Sequence, residues 1–507
     1  MPIWSIYLLL QSYFNLRMHF GPFLWTELRP SLNSAALCST MAEVLHQSKT
    51  TKPHVAVLAF PFGAHAAALL NLTRRLAVAA PDVTFSFFST AKSNCSVFGR
   101  DHLHDNIRNY DVADGIPAGD QLPRYPVEAI GLFLKASPDN FKKALEEARA
   151  TSRQFTCVLS DAFLWFAADI ADELGVPWVP LWTAGLCSLS THYYTDFIRH
   201  MTHVGSTGEK CGSTVGTKAS IVGNEDQPLE SIPGLPPLRV GDLPEGIITG
   251  NLDSPFASML CQMGKMLPRA AAVVVNSFRE LEPTIFDDLK SKLYKCLTVG
   301  PFAILTPPPS GPDETGCLPW LDQQRTHSVV YLSFGTMTTP QPEELAAIAE
   351  GLEAKGAPFL WSLREKFQEH LPTGFVERTR GKGVLVPWAP QKLILEHPAV
   401  GVFVSHCGWN SVTESIAGGV PMVYRPLYGD QKLNGRMVSD VWRIGVEIEG
   451  GVFTRDGVVN ALDLILSKDE GTKIREKVGA LSEIEKKAVG PGGSSTENFK
   501  TLVHIFY

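Results

Sequence analysis

The 507-residue chain carries no basic run suited to a nucleic-acid backbone, and its net charge is −7. It also lacks a long apolar run. Ile3–Leu10 is mostly apolar but falls far short of the ~20 residues that a helical membrane span needs. No positive charge precedes that stretch and no small-residue cleavage site follows it, so it makes a poor secretion signal. The nine cysteines are scattered, and none has C-x-x-C spacing. An odd, unclustered set of thiols argues against a disulfide framework or a zinc site and for a reducing, cytoplasmic setting. The sequons at Asn71 and Asn94 would then be idle. A Gly-x-Gly-x-x-Gly turn is missing after the first predicted strand, where Pro61-Phe62-Gly63-Ala64-His65 stands instead, which argues against a nicotinamide oxidoreductase. No internal repeat or long low-complexity tract is present.

Hydrophobic residues make up 44% of the chain and charged residues 19%, as in an ordinary globular protein. The length exceeds what one core supports, so two domains are expected. Short apolar runs bounded by Gly, Pro or polar residues predict buried parallel strands at 54–60, 83–89, 156–160, 178–182 and 272–276. A second series falls at 328–334, 358–363, 384–387, 400–405, 420–424 and 445–448. Helix-length segments such as 66–79 and 166–174 lie between them. The pattern is that of two doubly wound α/β halves, with ligands expected between the carboxyl ends of their sheets. The proline-rich stretch 299–316 predicts a linker between a first domain, 51–298, and a second, 317–507. Residues 1–50 are expected to be an extension outside the fold, 205–223 a surface loop, and the last helix to pack back on the first domain.

Residues 388–431 read WAPQKLILEHPAVGVFVSHCGWNSVTESIAGGVPMVYRPLYGDQ. Within this block 401–406 predicts a strand and 411–417 the helix after it. Asn410 and Ser411 then sit at a helix N-terminus, where free N–H groups and the dipole favour an anion such as a diphosphate. Read alone, the same two residues serve equally as helix caps. The block resembles, from end to end, the signature of the plant family 1 UDP-glycosyltransferases, and the likeness extends from about Pro53 to the C-terminus. The resemblance implies the GT-B fold, two Rossmann-like domains facing a cleft, with UDP-glucose as co-substrate and no cofactor or metal. The chain has no Asp-x-Asp pair of the kind that holds a divalent ion on a nucleotide sugar.

By the same resemblance Trp388 stacks on uracil and Ala389 bonds it through its backbone. Gln391 and Glu414 hold the ribose, and His406, Asn410 and Ser411 hold the diphosphate. Ser333 and Thr336, in a strand-to-helix loop, also reach the phosphates. Trp409, Asp430 and Gln431 surround the sugar. A carboxylate beside a mixed donor–acceptor amide suits adjacent sugar hydroxyls, and a terminal Gln goes with glucose. Each residue also has a plainer reading: a core tryptophan, a dipole-favoured Glu414, a solvated turn after Gly429.

His65 falls at the predicted junction of the first strand and its helix, where the family carries its general base. An imidazole suits that task because its ordinary pKa lies near neutrality. Asp161, ending the 156–160 strand, matches the family's partner to that base. The implied reaction is a single inverting displacement. The segments 182–192 and 242–280 resemble flavonoid 3-O-glucosyltransferases within the family. That likeness implies Thr183 on the sugar, an acceptor pocket lined by Gly63, Phe163, His192 and Tyr428, and a monomer acting on a small phenolic acceptor. Gly63, Leu186-Cys187 and Tyr428 depart from the subgroup's usual residues, all at the edge of the acceptor or sugar pocket. The competing readings are the same chemistry on another small phenolic, hormone or terpenoid acceptor or with UDP-galactose as donor, and a non-catalytic UDP-binding protein. Retention of His65, Asp161 and the whole block argues against the last.

Overall fold

The computed structural model describes residues 52–99, 104–116, 126–151, 153–202, 225–229, 231–306, 313–336 and 338–507. The expected extension 1–50, the loop 205–223 and the triple proline at 307–309 lie outside the described residues.

Seven parallel strands form the first sheet: β1 (His54–Leu58), β2 (Thr84–Thr90), β3 (Ile107–Val112), β4 (Cys157–Asp161), β5 (Trp178–Trp182), β6 (Val273–Val275) and β7 (Cys296–Thr298). Their spatial order is β3-β2-β1-β4-β5-β6-β7. Six parallel strands form the second: β8 (Val329–Ser333), β9 (Phe359–Ser362), β10 (Gly383–Val386), β11 (Val400–Ser405), β12 (Met422–Tyr424) and β13 (Gly445–Glu447), in the order β10-β9-β8-β11-β12-β13. The continuous apolar runs of β1, β4, β5, β8 and β11 are buried along their whole length because helices cover both faces.

Two strands escaped the sequence reading. β3 is an edge strand whose Arg108, Asn109 and Asp111 break the apolar run, and β7 is only three residues long. β3 carries little hydrophobic signal because only its two end residues are buried, whereas β7 is buried throughout but too short to make a recognisable apolar run.

In both sheets the chain builds outward from a central strand and then returns to that strand's other side. The reversal falls between β1 and β4 in one sheet and between β8 and β11 in the other. Helices leaving the two strands at such a point diverge and open a crevice at the carboxyl ends. Helix α1 (His65–Ala79) follows β1, α2 (Leu186–Tyr193) follows β5, α3 (Trp409–Gly418) follows β11, and α4 (Gln431–Arg436) comes after β12. No helix of the described residues is long and apolar enough to cross a membrane.

The final helix, α5 (Ser494–His504), leaves the second sheet and packs against β7 of the first. Asn498 Nδ2 donates to the Thr298 carbonyl at 3.0 Å, and the Arg75 guanidinium lies 4.3 Å from the centre of the Phe499 ring. Leu502 and Phe506 complete the apolar layer under β1 and β2. Leu502 is fully buried there. We predict that Leu502→Ala costs about 2–5 kcal/mol through the cavity it leaves. The check is a lowered urea midpoint; an unchanged midpoint would detach this helix from the first core.

Candidate active site

Between β1 and α1 the chain turns through Pro61, Phe62, Gly63 and Ala64. Gly63 takes φ of 60°, a left-handed conformation that glycine adopts without strain, and lies exposed. His65 begins the helix. Asp161 ends β4, the strand beside β1, with Leu58 opposite Ser160 in register. The strand-order reversal therefore sets the two side chains together: His65 Nδ1 lies 2.8 Å from Asp161 Oδ2. The other carboxylate oxygen accepts the Phe163 N–H at 2.9 Å. A carboxylate accepts at this contact, so in the neutral imidazole the proton belongs on Nδ1 and Nε2 is the acceptor. Asp161 is fully buried, whereas the His65 side chain keeps 21% of its surface exposed. Thr183 Oγ1 stands 3.4 Å from the same Nδ1.

Aromatic rings enclose this pair. Phe163 lies 4.3 Å and Phe60 5.3 Å from the imidazole, centre to centre, and Phe62 and Phe133 extend the wall. Phe60, Phe62 and Phe133 were not singled out in the sequence. The Phe-Pro-Phe run before His65 carried a signal for the first two; Phe133 comes from a distant helix and carried none. His192 is buried against Trp182, and burial pushes its imidazole down to about 3, so it is neutral at pH 7. Tyr428 is exposed.

The second half repeats the geometry. Ser405 at the end of β11 lies opposite Ser333 at the end of β8. His406 follows, enclosed so closely that a β-carbon on Gly408 would fall 2.6 Å from its Nε2. Burial pushes this imidazole down to about 4. Cys407, buried, takes φ of 64°, a strained conformation for a non-glycine residue, and its carbonyl accepts Asn434 Nδ2 at 3.1 Å.

The helix α3 that follows has Gly408 as its N-cap and no side-chain capping bond. Asn410 and Ser411 therefore do not cap it, and its first-turn N–H groups remain open to an anion. Gln391 gathers the neighbouring residues. Its Oε1 accepts the Tyr331 hydroxyl at 3.1 Å, while its Nε2 donates to Glu414 at 2.6 Å and approaches Ser411 Oγ at 3.4 Å. Trp388, 58% exposed, follows β10, with Ala389 buried behind it. Thr336 is exposed in the loop after β8.

Two side chains are placed differently from expectation. Trp409 was expected beside the sugar. Its ring instead packs on Gly185, where a β-carbon would lie 2.6 Å away, and its indole N–H donates to the Asn276 carbonyl at 2.7 Å. The side chain thus binds the two halves together, because the helix start that holds it faces the first sheet. Gln431 was read as a mixed donor and acceptor. Its Oε1 already accepts the Leu427 and Tyr428 N–H groups, at 2.7 and 3.0 Å, so only its Nε2 is left to donate. Beside it, burial pushes the Asp430 carboxyl up, opposed by Asn434 and by His65 across the cleft. Among the described residues no group of three or more His, Cys, Asp or Glu side chains is placed to hold a metal ion.

A family model described as UDP-glucoronosyl and UDP-glucosyl transferase matches residues 313–491. Over 460 residues the chain is 54% identical to an anthocyanidin 3-O-glucosyltransferase of Vitis vinifera, covering 90% of this chain and 98% of that one. The chain belongs to the UDP-glucoronosyl and UDP-glucosyl transferase family. Another member, an anthocyanidin 3-O-galactosyltransferase of Actinidia chinensis var. chinensis, is 49% identical over 91% of this chain and 99% of its own length. Among solved structures, a UDP-glucose:anthocyanidin 3-O-glucosyltransferase in complex with UDP superposes with a TM-score of 0.82 at 42% identity, covering 90% of this chain and 99% of that one. The architecture of this UDP-glycosyltransferase is accordingly GT-B.

The burial of His406 makes a pH prediction. Its folded pKa lies below the ordinary value of about 6.5, so the native state gains nothing from it above that pH. As pH falls from about 6.5 toward about 4, the unfolded chain takes up a proton that the native ring refuses, and this part of the stability is lost. Ring resonances in an NMR titration of the ligand-free protein should show His406 still neutral at pH 5. A midpoint near 6.5 would contradict its burial.

Proposed function

We propose that this chain transfers glucose from UDP-glucose to the 3-hydroxyl of a flavonoid, with inversion and without a metal ion. The observation that carries the reading is the His65–Asp161 pair, set in a wall of phenylalanines. A flat phenolic acceptor suits that wall, because aromatic rings pack edge-on or offset against one another.

In this reading His65 Nε2 takes the acceptor's hydroxyl proton while Asp161 steadies the imidazolium that forms. The freed oxygen bonds to the anomeric carbon as the bond from that carbon to UDP breaks on the opposite face, so an α-linked donor gives a β-glucoside. The departing diphosphate is held by the open N-terminus of α3, by His406 as a neutral donor, and by Ser333, Thr336, Asn410 and Ser411. Trp388 stacks on uracil beside Ala389, and Gln391 with Glu414 meets the ribose. Thr183, Asp430 and the Gln431 Nε2 meet the sugar; Trp409 offers only its main-chain N–H. Gly63, Phe163, His192 and Tyr428 border the acceptor.

We assign the acceptor side to residues 51–298, the linker to 299–316 and the donor side to 317–507. The buried free thiols Cys157, Cys187, Cys296, Cys317 and Cys407 fit a cytoplasmic protein, and we take it to act as a monomer.

The test is mass spectrometry of products from a flavonol and anthocyanidin panel, with UDP-glucose or UDP-galactose and EDTA present. A single-hexose adduct on the 3-hydroxyl from UDP-glucose is expected. Preference for UDP-galactose would move the chain toward its galactosyltransferase relatives, and no adduct with UDP still bound would overturn the acceptor. His65→Ala should lower kcat at least 100-fold with UDP affinity within two-fold. Equal loss of both would make His65 structural.

A further inference from the structure

Asn276, just past β6, is buried to 1% exposure, and its main chain and side chain bond to three separate parts of the molecule. The N–H donates to the Trp182 carbonyl at the end of β5, at 2.9 Å. The carbonyl accepts the Trp409 indole N–H from the start of α3, at 2.7 Å. The side-chain Nδ2 donates to the Thr183 carbonyl at 3.2 Å, and Oδ1 accepts the Phe302 N–H, at the head of the linker, at 2.8 Å. A buried amide that spends its donor and its acceptor on different partners can sit in only one orientation.

A few residues on, buried Glu282 accepts the N–H groups of Leu186 and Cys187, both at 2.9 Å, in the first turn of α2. The Trp409 ring closes on Gly185 from the other side. The turn from Thr183 to Cys187 is therefore gripped by 276–282 and by the donor half together. Thr183 Oγ1, at the start of that turn, is the hydroxyl 3.4 Å from His65 Nδ1.

We propose that Asn276 is a positioning residue that couples the seating of α3, through Trp409, to the placement of Thr183 beside His65. The inference rests on the glucosyl-transfer reading above. The carbonyl of Asn276 is one point at which the donor half docks, and its side chain bonds the Thr183 carbonyl. Displacement of α3 thereby moves Thr183 relative to the base, although neither α3 nor Asn276 touches His65. Asn276 itself need make no bond to UDP, the sugar or the acceptor.

The test is a double-mutant cycle of Asn276→Asp with Thr183→Ala. Asn276→Asp keeps an acceptor for Phe302 but turns a carboxylate oxygen, with no proton to give, toward the Thr183 carbonyl. We expect kcat to fall at least ten-fold while the Kd for UDP, which lacks the sugar that Thr183 meets, stays within two-fold. In the Thr183→Ala background the same change should cost less than two-fold more, since both act through Thr183. Losses that multiply, or UDP affinity that falls in step with kcat, would overturn the proposal. Asn276→Ala, which removes both side-chain bonds without adding charge, is run in parallel and should behave alike.

Amide hydrogen exchange across 183–187 with UDP bound needs no turnover. It should quicken in both Asn276 variants, and unchanged exchange overturns the coupling. A wild-type chain that makes no glycoside would sink the functional reading alone, with the exchange experiment still deciding Asn276.

Discussion

A parallel sheet that reverses its strand order leaves a crevice at the reversal, because the helices on either side leave their strands in opposite directions. This chain makes the reversal twice, between β1 and β4 and between β8 and β11. His65 and Asp161 stand at one crevice, and Ser333 and His406 stand at the other. Each residue sits at or just past a strand's carboxyl end, where backbone groups leave the ladder and side chains become free to meet a ligand. Had the strands run on in simple sequence order, two further strands would stand between the members of each pair.

The two histidines show how environment divides one side chain between tasks. His65 is bonded to a buried carboxylate and retains a path to the cleft, so its bare Nε2 can receive a proton and the charge that results has a partner. His406 is sealed by the backbone of its own turn, and burial holds it neutral well below pH 6.5. It can offer a hydrogen bond but is poorly placed to become a cation in the ligand-free protein.

The halves are joined by polar bonds made inside an apolar interface. Trp409 and Trp442, with ring centres 6.4 Å apart, send their indole N–H groups to the carbonyls of Asn276 and Leu281. The last helix crosses back to seal the first core with Leu502 and Phe506. A buried indole without an acceptor would cost the desolvation of its N–H, so these bonds favour one seating of the halves over others. That preference matters in the proposed reaction, where base and leaving group are assigned to different sheets.

Much of this was legible in the sequence for identifiable reasons. The central strands announce themselves because burial on both faces demands unbroken apolar runs, and residues 388–431 match the family's signature from end to end. His65 and Asp161 end or follow such strands, but it was the likeness to the family that gave them a role; from the strand pattern alone His65 reads rather as a helix cap. Edge strand β3 was illegible because most of its residues are not buried, and β7 because its three buried residues, Cys-Leu-Thr, are too short a run to leave a pattern. Burial also decided which atoms remain free: the Trp409 indole is spent on Asn276, the Gln431 oxygen on its own turn, and α3 begins uncapped at Gly408. Phe133 and Asn276 act through neighbours far away in the chain, and their spacing in sequence gives no hint of it. The sequence by itself determined the central strands and the side chains that end them, because those follow from local pattern. Only the tertiary structure decided which donors and acceptors are already taken, because a hydrogen bond between distant segments depends on where both are packed.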